Sequence, residues 1–184
     1  MYYIKTYKHL LGSPNLVICL DSGASRPDCL TITSTLRGYL DFDLKVRVAE
    51  NNMHSGISSG ICPNPLQIIL TLLQRLQDFG TQRVTQALHV EIPEYRVKEC
   101  EDVAKKIPLL SSSLPILPQV HSLGKTCENE ALELLLNNYW RPTLSVTGLE
   151  GLPPFERAGN VVYKEMKVRV SLRLPPTLKS DKAG

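Results

Sequence analysis

Several features that mark other classes of protein are missing from this sequence of 184 residues. Its longest apolar runs, such as residues 16–20, are far too short to span a bilayer. Its first residues, MYYIKTYKHL, lack the apolar centre of a secretion signal. The net charge is only +3, and the basic residues are scattered rather than gathered into the stripe that binds nucleic acids. We therefore expect neither a membrane nor a nucleic acid as a partner.

Cysteines and metal-binding motifs are also scarce. The five cysteines are odd in number and widely spaced, with no Cys-x-x-Cys pair, which argues against a disulfide framework and a thiolate metal site. The sequence contains no His-x-Asp and no His-Glu-x-x-His, so a self-contained zinc site is not expected. Free thiols are typical of a reducing compartment, and we expect a cytoplasmic protein.

The residues that are present favour a packed protein with two kinds of segment. Apolar residues make up 42% of the chain, and its length fits one domain plus a fragment of another. Residues 15–20, NLVICL, form a continuous apolar run typical of a strand buried on both faces of a parallel sheet, preceded by a helix that ends at Gly12. Residues 38–48 instead alternate apolar and polar side chains, as an antiparallel strand with one wet face does. The change predicts a domain boundary near residues 30–36.

Helices and strands then follow one another along the chain. Helices are predicted over residues 64–80, 94–107 and 127–138, the first with Asn64 as its N-cap and Pro65 in its first turn. Further strands are predicted over residues 87–92 (ALHVEI), 143–147 and 161–174. This order predicts an α+β fold, a two-layer sandwich in which an antiparallel four-stranded sheet carries helices on one face. Such a sheet has a free edge that a second copy can pair with across a two-fold axis.

Four polar residues are candidates for a functional site, and each has a second interpretation. Asp21 follows the predicted buried strand, where α/β proteins bind ligands, but Asp-Ser-Gly is also an ordinary turn. His54, in a loop of small residues, is either a hydrogen-bond donor to a substrate oxygen or a solvated side chain. Arg173, on the polar face of the last strand, either clamps a carboxylate or remains solvated. Asn160 is a turn residue or a polar substrate contact, and the local sequence does not decide between them.

Five short motifs occur in a fixed order along the chain: LRG (36–38), HSG (54–56), NP (64–65), AGNV (158–161) and SLRLPP (171–176). With the earlier LDSG (20–23), this set resembles the co-catalytic di-zinc metallopeptidase family that includes cytosolic non-specific dipeptidase, carnosinase and aminoacylase. The resemblance covers about residues 15–177. It implies a remnant of an α/β catalytic domain over residues 1–33, a ferredoxin-like lid, or dimerisation, domain over 34–177, and a tail over 178–184 that leads back to the catalytic domain.

The resemblance also implies a role for each candidate residue. Asp21 matches an aspartate that ligates zinc, and His54 matches the lid histidine that stabilises the oxyanion in the partner subunit's active site. Arg173 matches the arginine that binds the substrate carboxylate, and Asn160 falls at a polar substrate contact. The complete enzyme would use two zinc ions, or manganese or cobalt, to hydrolyse a small peptide or an acyl amino acid. It would form a homodimer through the lid.

Other parts of the family pattern are absent from this sequence. The upstream His-x-Asp ligands, the Glu-Glu pair and the final histidine ligand are all missing. We therefore expect this chain alone to bind no zinc and to be inactive as an isolated fragment. The alternative is a non-catalytic α+β module that dimerises or binds small ligands.

Overall fold

The computed structural model describes residues 2–19, 21, 26–123, 127–179 and 181. The chain divides into two compact units, residues 1–34 and residues 35–184, and each is described separately. None of the helices in the described ranges is both long and apolar enough to cross a membrane.

The first unit contains two short helices and little other regular structure. Helix α1 is Tyr2–Thr6 and helix α2 is Lys8–Leu11, and α2 ends at Gly12 as the sequence predicts. The strand predicted over residues 15–20 is wrong for residues 15–19, which are exposed and form no strand; residue 20 lies outside the described residues. A strand buried on both faces needs paired neighbours and covering layers. The described part of this unit offers only an isolated bridge between Arg26 and Cys29.

The second unit is built on a three-stranded antiparallel sheet. Its strands are β1 (Gly38–Arg47), β3 (Thr143–Glu150) and β5 (Glu165–Leu174), in the order β1-β5-β3. The central strand β5 pairs with β1 along its whole length, from Gly38 opposite Leu174 to Arg47 opposite Glu165. The mixed fold and the antiparallel sheet are confirmed, but this sheet has three strands in the described residues rather than four.

The fourth strand predicted from the sequence, the segment ALHVEI (87–92), is not a strand in the structure. Residues Gln86–Leu88 form a 3₁₀ turn, and the residues that follow pair with no strand. Leu88 is buried against Leu172 and Leu174, on the face of the sheet rather than at its edge. The alternating pattern of this segment therefore reflects packing and not strand pairing.

One face of the sheet forms the core. The predicted inward-facing residues of β5 are all buried: Met166, Val168, Val170, Leu172 and Leu174. Helix α4 (Pro65–Gln74) packs Ile69 and Leu73 against this face, and Asn64 caps it by accepting a hydrogen bond from the Leu66 amide at 2.8 Å. Helices α5 (Glu94–Ala104) and α6 (Glu130–Tyr139) pack against each other in a separate cluster of Cys100, Leu135, Leu136 and Trp140.

A second, two-stranded sheet lies beside the start of β5. Strand β2 (Met53–His54) pairs with β4 (Val161–Val162), and the short helix α3 (Ser55–Ser58) follows β2 directly. The long strand predicted over residues 161–174 is therefore split into β4 and β5. The break is fixed at Lys164, whose amide donates to Asn52 Oδ1 at 3.0 Å and whose carbonyl accepts from the Val48 amide at 2.8 Å.

Candidate functional site

The two-stranded sheet brings together two of the residues singled out from the sequence. His54 lies opposite Val161 in the β2–β4 ladder, and the Ser55 amide donates to the Asn160 carbonyl oxygen at 2.8 Å. Both His54 and Asn160 are exposed. We call this pair of strands and the residues that flank it, 52–56 and 159–162, the histidine hairpin. The name refers only to the antiparallel pairing, since β2 and β4 are not consecutive strands and no turn joins them.

Backbone contacts hold the His54 side chain in one orientation. Its Nδ1 accepts a hydrogen bond from the Gly56 amide at 3.1 Å, so that His54 is the N-cap of α3. The Ser58 hydroxyl donates to the His54 carbonyl oxygen at 3.0 Å and fixes the turn from the other side. In a neutral imidazole one nitrogen accepts and the other carries the proton. Because Nδ1 accepts here, a neutral His54 would carry its proton on Nε2, for which the described residues provide no acceptor.

A cavity of about 370 Å³ lies next to the histidine hairpin. Its walls are mostly apolar and come from the start of α4, the loop after β3 and the segment from β4 to the start of β5. The apolar and aromatic residues among them are Leu66, Leu152, Pro153, Phe155, Val161, Tyr163 and Met166. Val161 and His54 are register partners in an antiparallel pair, so their side chains point to the same side of the hairpin. An apolar group bound in the cavity would therefore lie near His54. The sequence indicated a loop here but not its concave shape.

Arg173 lies on the polar face of the main sheet, near the end of β5. Its guanidinium sits 4.7 Å from the centre of the Tyr39 ring, its cross-strand neighbour on β1. The Tyr39 hydroxyl donates to the Asp41 carboxylate, and this bond raises the pKa of Tyr39. Among the described residues Arg173 makes no ion pair, so its donors are available to a carboxylate. Sequence reasoning missed Tyr39, because the pairing register that places it under Arg173 is not visible in the sequence.

A second arginine stands close to this position. Arg37 donates from Nη1 to the carbonyls of Asn137 and Arg141, at 3.3 and 3.4 Å, and to Thr143 Oγ1 at 3.2 Å. It thereby joins the end of α6 to the start of β3. Burial lowers the pKa of Arg37, and the positive charge of Arg173 lowers it further.

Arg173 and the histidine hairpin lie at opposite ends of the fold. Arg173 is eight residues beyond Glu165 on β5, which corresponds to about 26 Å between their Cα atoms at the rise of a strand. The hairpin joins β5 at the Glu165 end, through Lys164. The structure therefore brings His54 and Asn160 together and keeps Arg173 apart from both.

Other charged side chains on the polar face between these ends are paired with one another. Asp43 accepts hydrogen bonds from Arg169 Nε and Nη2, at 2.8 and 3.1 Å, and lies 2.7 Å from Lys167 Nζ. These contacts, the bond from Arg169 first, hold the pKa of Asp43 well below its usual range. Lys45 and Glu165 form a further pair at 3.1 Å. Arg173 is distinguished from its neighbours on β5 by having no such partner among the described residues.

Asp21 lies in the first unit, and its side chain is exposed. Residues 20 and 22–25 on either side of it lie outside the described residues. Within the described ranges no group of three histidine, cysteine, aspartate or glutamate side chains could hold a metal ion. A catalytic zinc ion needs three protein ligands. The described residues of this chain therefore do not fit a two-metal centre on their own.

An open antiparallel sheet with helices on one face, together with a surface hairpin that presents a histidine, defines a lid-type α+β domain rather than a complete catalytic fold. The peptidase dimerisation domain family of the M20 peptidases matches residues 34–183. The chain belongs to this family, and the resemblance found in its motifs is confirmed.

Relatives of known identity agree with this assignment. Mouse beta-Ala-His dipeptidase is 23% identical over 172 residues, which cover 92% of this chain and 34% of that protein. The probable di- and tripeptidase DUG2 of Saccharomyces cerevisiae is 22% identical over 143 residues, covering 77% of this chain and 14% of that protein. The chain thus spans about a third or less of the length of these relatives.

A solved structure shows the same fold. The M20 family metallo-carboxypeptidase Sso-CP2 from Sulfolobus solfataricus superposes with a TM-score of 0.67 at 19% identity, over 99% of this chain and 46% of that one. The chain is therefore a dimerisation domain of the M20 metallopeptidases, a family whose members include dipeptidases.

Proposed function

We propose that this chain is the lid of a homodimeric, metal-dependent dipeptidase or amidohydrolase of the cytoplasm. Its substrate would be a small peptide or an acyl amino acid. In the complete enzyme His54 and Asn160 would act in the active site of the partner subunit, and Arg173 in the active site of its own subunit. Two zinc ions, or manganese or cobalt, would be held mainly by residues beyond those of this chain, with Asp21 as its one contribution.

The observation that carries this proposal is the separation of the candidate residues. The strand β5 alone places about 26 Å between Arg173 and the end of the sheet at which the histidine hairpin is attached. An extended dipeptide spans only about 7 Å. One protomer therefore cannot apply its own His54 and its own Arg173 to one dipeptide. A two-fold dimer in which the hairpin of one protomer lies against the Arg173 end of the other could do so, and its symmetry would create this arrangement twice.

Each residue has chemistry that suits its proposed role. When the peptide carbonyl is attacked, its oxygen becomes negative, and the exposed Nε2–H of His54 would donate a hydrogen bond to it. Asn160, whose carbonyl oxygen is bonded to the neighbouring Ser55 amide, would contact the polar backbone of the substrate. The unpaired guanidinium of Arg173 would bind the terminal carboxylate and fix the substrate in register. These side chains would thus bind the substrate and stabilise its charged oxygen.

The test compares two substitutions in the complete enzyme that contains this domain. His54→Ala should lower kcat about 100-fold or more with little change in KM, since the donor acts only once the oxygen is charged. Arg173→Ala should mainly raise KM, since the carboxylate is charged throughout the reaction.

Two matched controls belong to this test. His9→Ala removes an exposed histidine of the first unit, and Arg169→Ala removes an arginine of the same face of β5 that is already paired with Asp43. Both should leave kcat and KM close to their wild-type values. If His54→Ala and Arg173→Ala behave like these controls, the domain is a dimerisation module without a catalytic part, which is the alternative function.

A further inference from the structure

Gly56 is in contact with the ring of His54 in two ways. Its amide donates the 3.1 Å hydrogen bond to Nδ1. Its Cα also faces the ring so closely that a Cβ added to Gly56 would lie 3.0 Å from Cε1 and 3.1 Å from Nδ1 of His54. Carbon atoms in favourable contact are about 3.5 to 4.0 Å apart, so a side chain at position 56 would force the imidazole to shift by a few tenths of an ångström away from the Gly56 amide.

The backbone does not explain why a glycine stands here. Gly12, Gly60 and Gly151 have positive φ angles, which favour glycine, but Gly56 does not belong to this group. It lies inside the short helix α3, where alanine is the more stable residue. The need for glycine at position 56 therefore comes from the His54 ring, which occupies the space that a Cβ would fill.

We propose that Gly56 is a positioning residue that holds His54 in the tautomer with its proton on Nε2. The amide keeps Nδ1 as an acceptor, and the missing Cβ lets the ring approach the Gly56 backbone closely. Neutral histidine then presents Nε2–H outward, where a hydrogen bond can be donated. This inference rests on the proposed function only for its purpose, since the tautomer is a property of this chain alone.

The tautomer of His54 can be measured without any assay of activity. The chain, labelled with ¹⁵N in its four histidines, is studied by long-range ¹H–¹⁵N correlation spectra at a pH where histidine is neutral. His54→Asn identifies the His54 signals, and its amide oxygen can still cap α3. In the wild-type chain the Nδ1 signal of His54 should be that of an unprotonated nitrogen and the Nε2 signal that of a protonated one. A wild-type His54 that carries its proton mainly on Nδ1 overturns the proposal before any variant is made.

Gly56→Ala tests the contact itself. Loss of one neutral hydrogen bond changes an equilibrium about five-fold, so the ratio of the Nε2–H to the Nδ1–H tautomer should fall by about that factor. Gly159→Ala is the matched control, because it lies in the same hairpin and a Cβ there meets nothing within 4 Å. The His54 ratio should be unchanged in the control. Equal ratios in wild type and Gly56→Ala would overturn the proposal.

The two proposals fail in different ways. An unaltered kcat in His54→Ala refutes the oxyanion role and leaves the tautomer measurement as it stands. An unaltered tautomer in Gly56→Ala refutes the positioning role and leaves the oxyanion role open to its own test. Thermal unfolding of Gly56→Ala should occur close to the wild-type temperature, because the helix preference of alanine and the loss of the His54 cap are of similar size and opposite sign. A changed tautomer in a chain of full stability therefore reports the position of the ring.

Discussion

The strongest prediction concerns which subunit supplies each residue. Two impaired variants of the complete enzyme, His54→Ala with its lowered kcat and Arg173→Ala with its raised KM, are co-expressed with different tags so that heterodimers form. If His54 acts in the partner's site and Arg173 in its own, one site of the heterodimer receives an intact His54 and an intact Arg173. The other site lacks both. Each homodimer, by contrast, carries one lesion in each of its two sites.

The expected recovery follows from this count of sites. Random pairing of equal amounts gives about half heterodimers, each with one intact site of two, so about a quarter of the wild-type activity should return. Purified heterodimer, isolated through both tags, should reach about half. The rates are compared at substrate concentrations below the wild-type KM, where the Arg173→Ala homodimer is least active.

The structure provides a control that no sequence argument would suggest. The backbone of Asn160 is bonded to Ser55, the residue after His54, so in the proposed assignment both residues would serve the same site of the partner. His54→Ala and Asn160→Ala subunits should therefore give no recovery, because each site of their heterodimer retains one lesion. Recovery in this control pair, or none with Arg173→Ala in isolated heterodimers, would refute the assignment of the residues to different subunits.

Three further outcomes are expected. The chain alone should be a two-fold dimer at tens of micromolar, with a light-scattering mass near twice its 20.5 kDa, whereas a strictly monomeric mass would contradict the role of the lid. Metal analysis of the purified chain should find no pair of tightly bound zinc ions, and dipeptides should not be hydrolysed, since the described residues supply no three-ligand site. Replacing Asp43 by Asn should lower stability at neutral pH. Because the native pKa of Asp43 is depressed, the ionised carboxylate stabilises the folded state above about pH 4, and this stabilisation is lost as the pH falls further. The free energies of unfolding of wild type and Asp43→Asn should therefore converge in acid. A difference that persists in acid would contradict this reasoning.

The strands of the main sheet could be predicted because the type of each residue, apolar or polar, indicates whether its side chain is buried or exposed. Side chains of a strand alternate between faces, and the sheet here has one buried and one polar face, so the pattern of residues 38–48 and 166–174 shows the strands directly. The helix start at Asn64 and Pro65 could be predicted for a similar local reason, since the cap and the first turn are adjacent in sequence. The order of the strands and their register were not visible at this level.

Two predicted strands failed because burial and pairing are different properties. ALHVEI packs Leu88 against the sheet and Ile92 against the α5–α6 cluster, but no neighbouring strand in the described part of the chain supplies hydrogen bonds to its backbone. NLVICL has the composition of a central strand of a parallel sheet, and the described part of its unit contains no strand to pair with. Composition shows that a segment suits a strand, while the partner that makes it one lies elsewhere in the chain.

The arrangement of the candidate site residues also depends on pairing that the sequence does not reveal. The motifs identified His54, Asn160 and Arg173 one by one, and only the three-dimensional structure sorts them into two groups. His54 and Asn160 meet through strands of two residues each, which are too short to leave a pattern in the sequence. Arg173 is separated from them by the straight run of β5, although it is closer to Asn160 in sequence than His54 is.

The histidine hairpin is attached to the main sheet at Lys164. This attachment explains how a lid domain could position His54 in the active site of a partner subunit. Lys164 joins β4 to β5, and its backbone is bonded on one side to Val48, at the end of β1, and on the other to Asn52, just before β2. His54 is therefore fixed to both strands of the pair that runs the full length of the sheet. A dimer that forms along such a sheet sets the position of His54 relative to the partner as firmly as it sets the strands themselves. If His54 is the oxyanion donor proposed above, dimerisation would therefore also fix the position of that donor relative to the partner subunit.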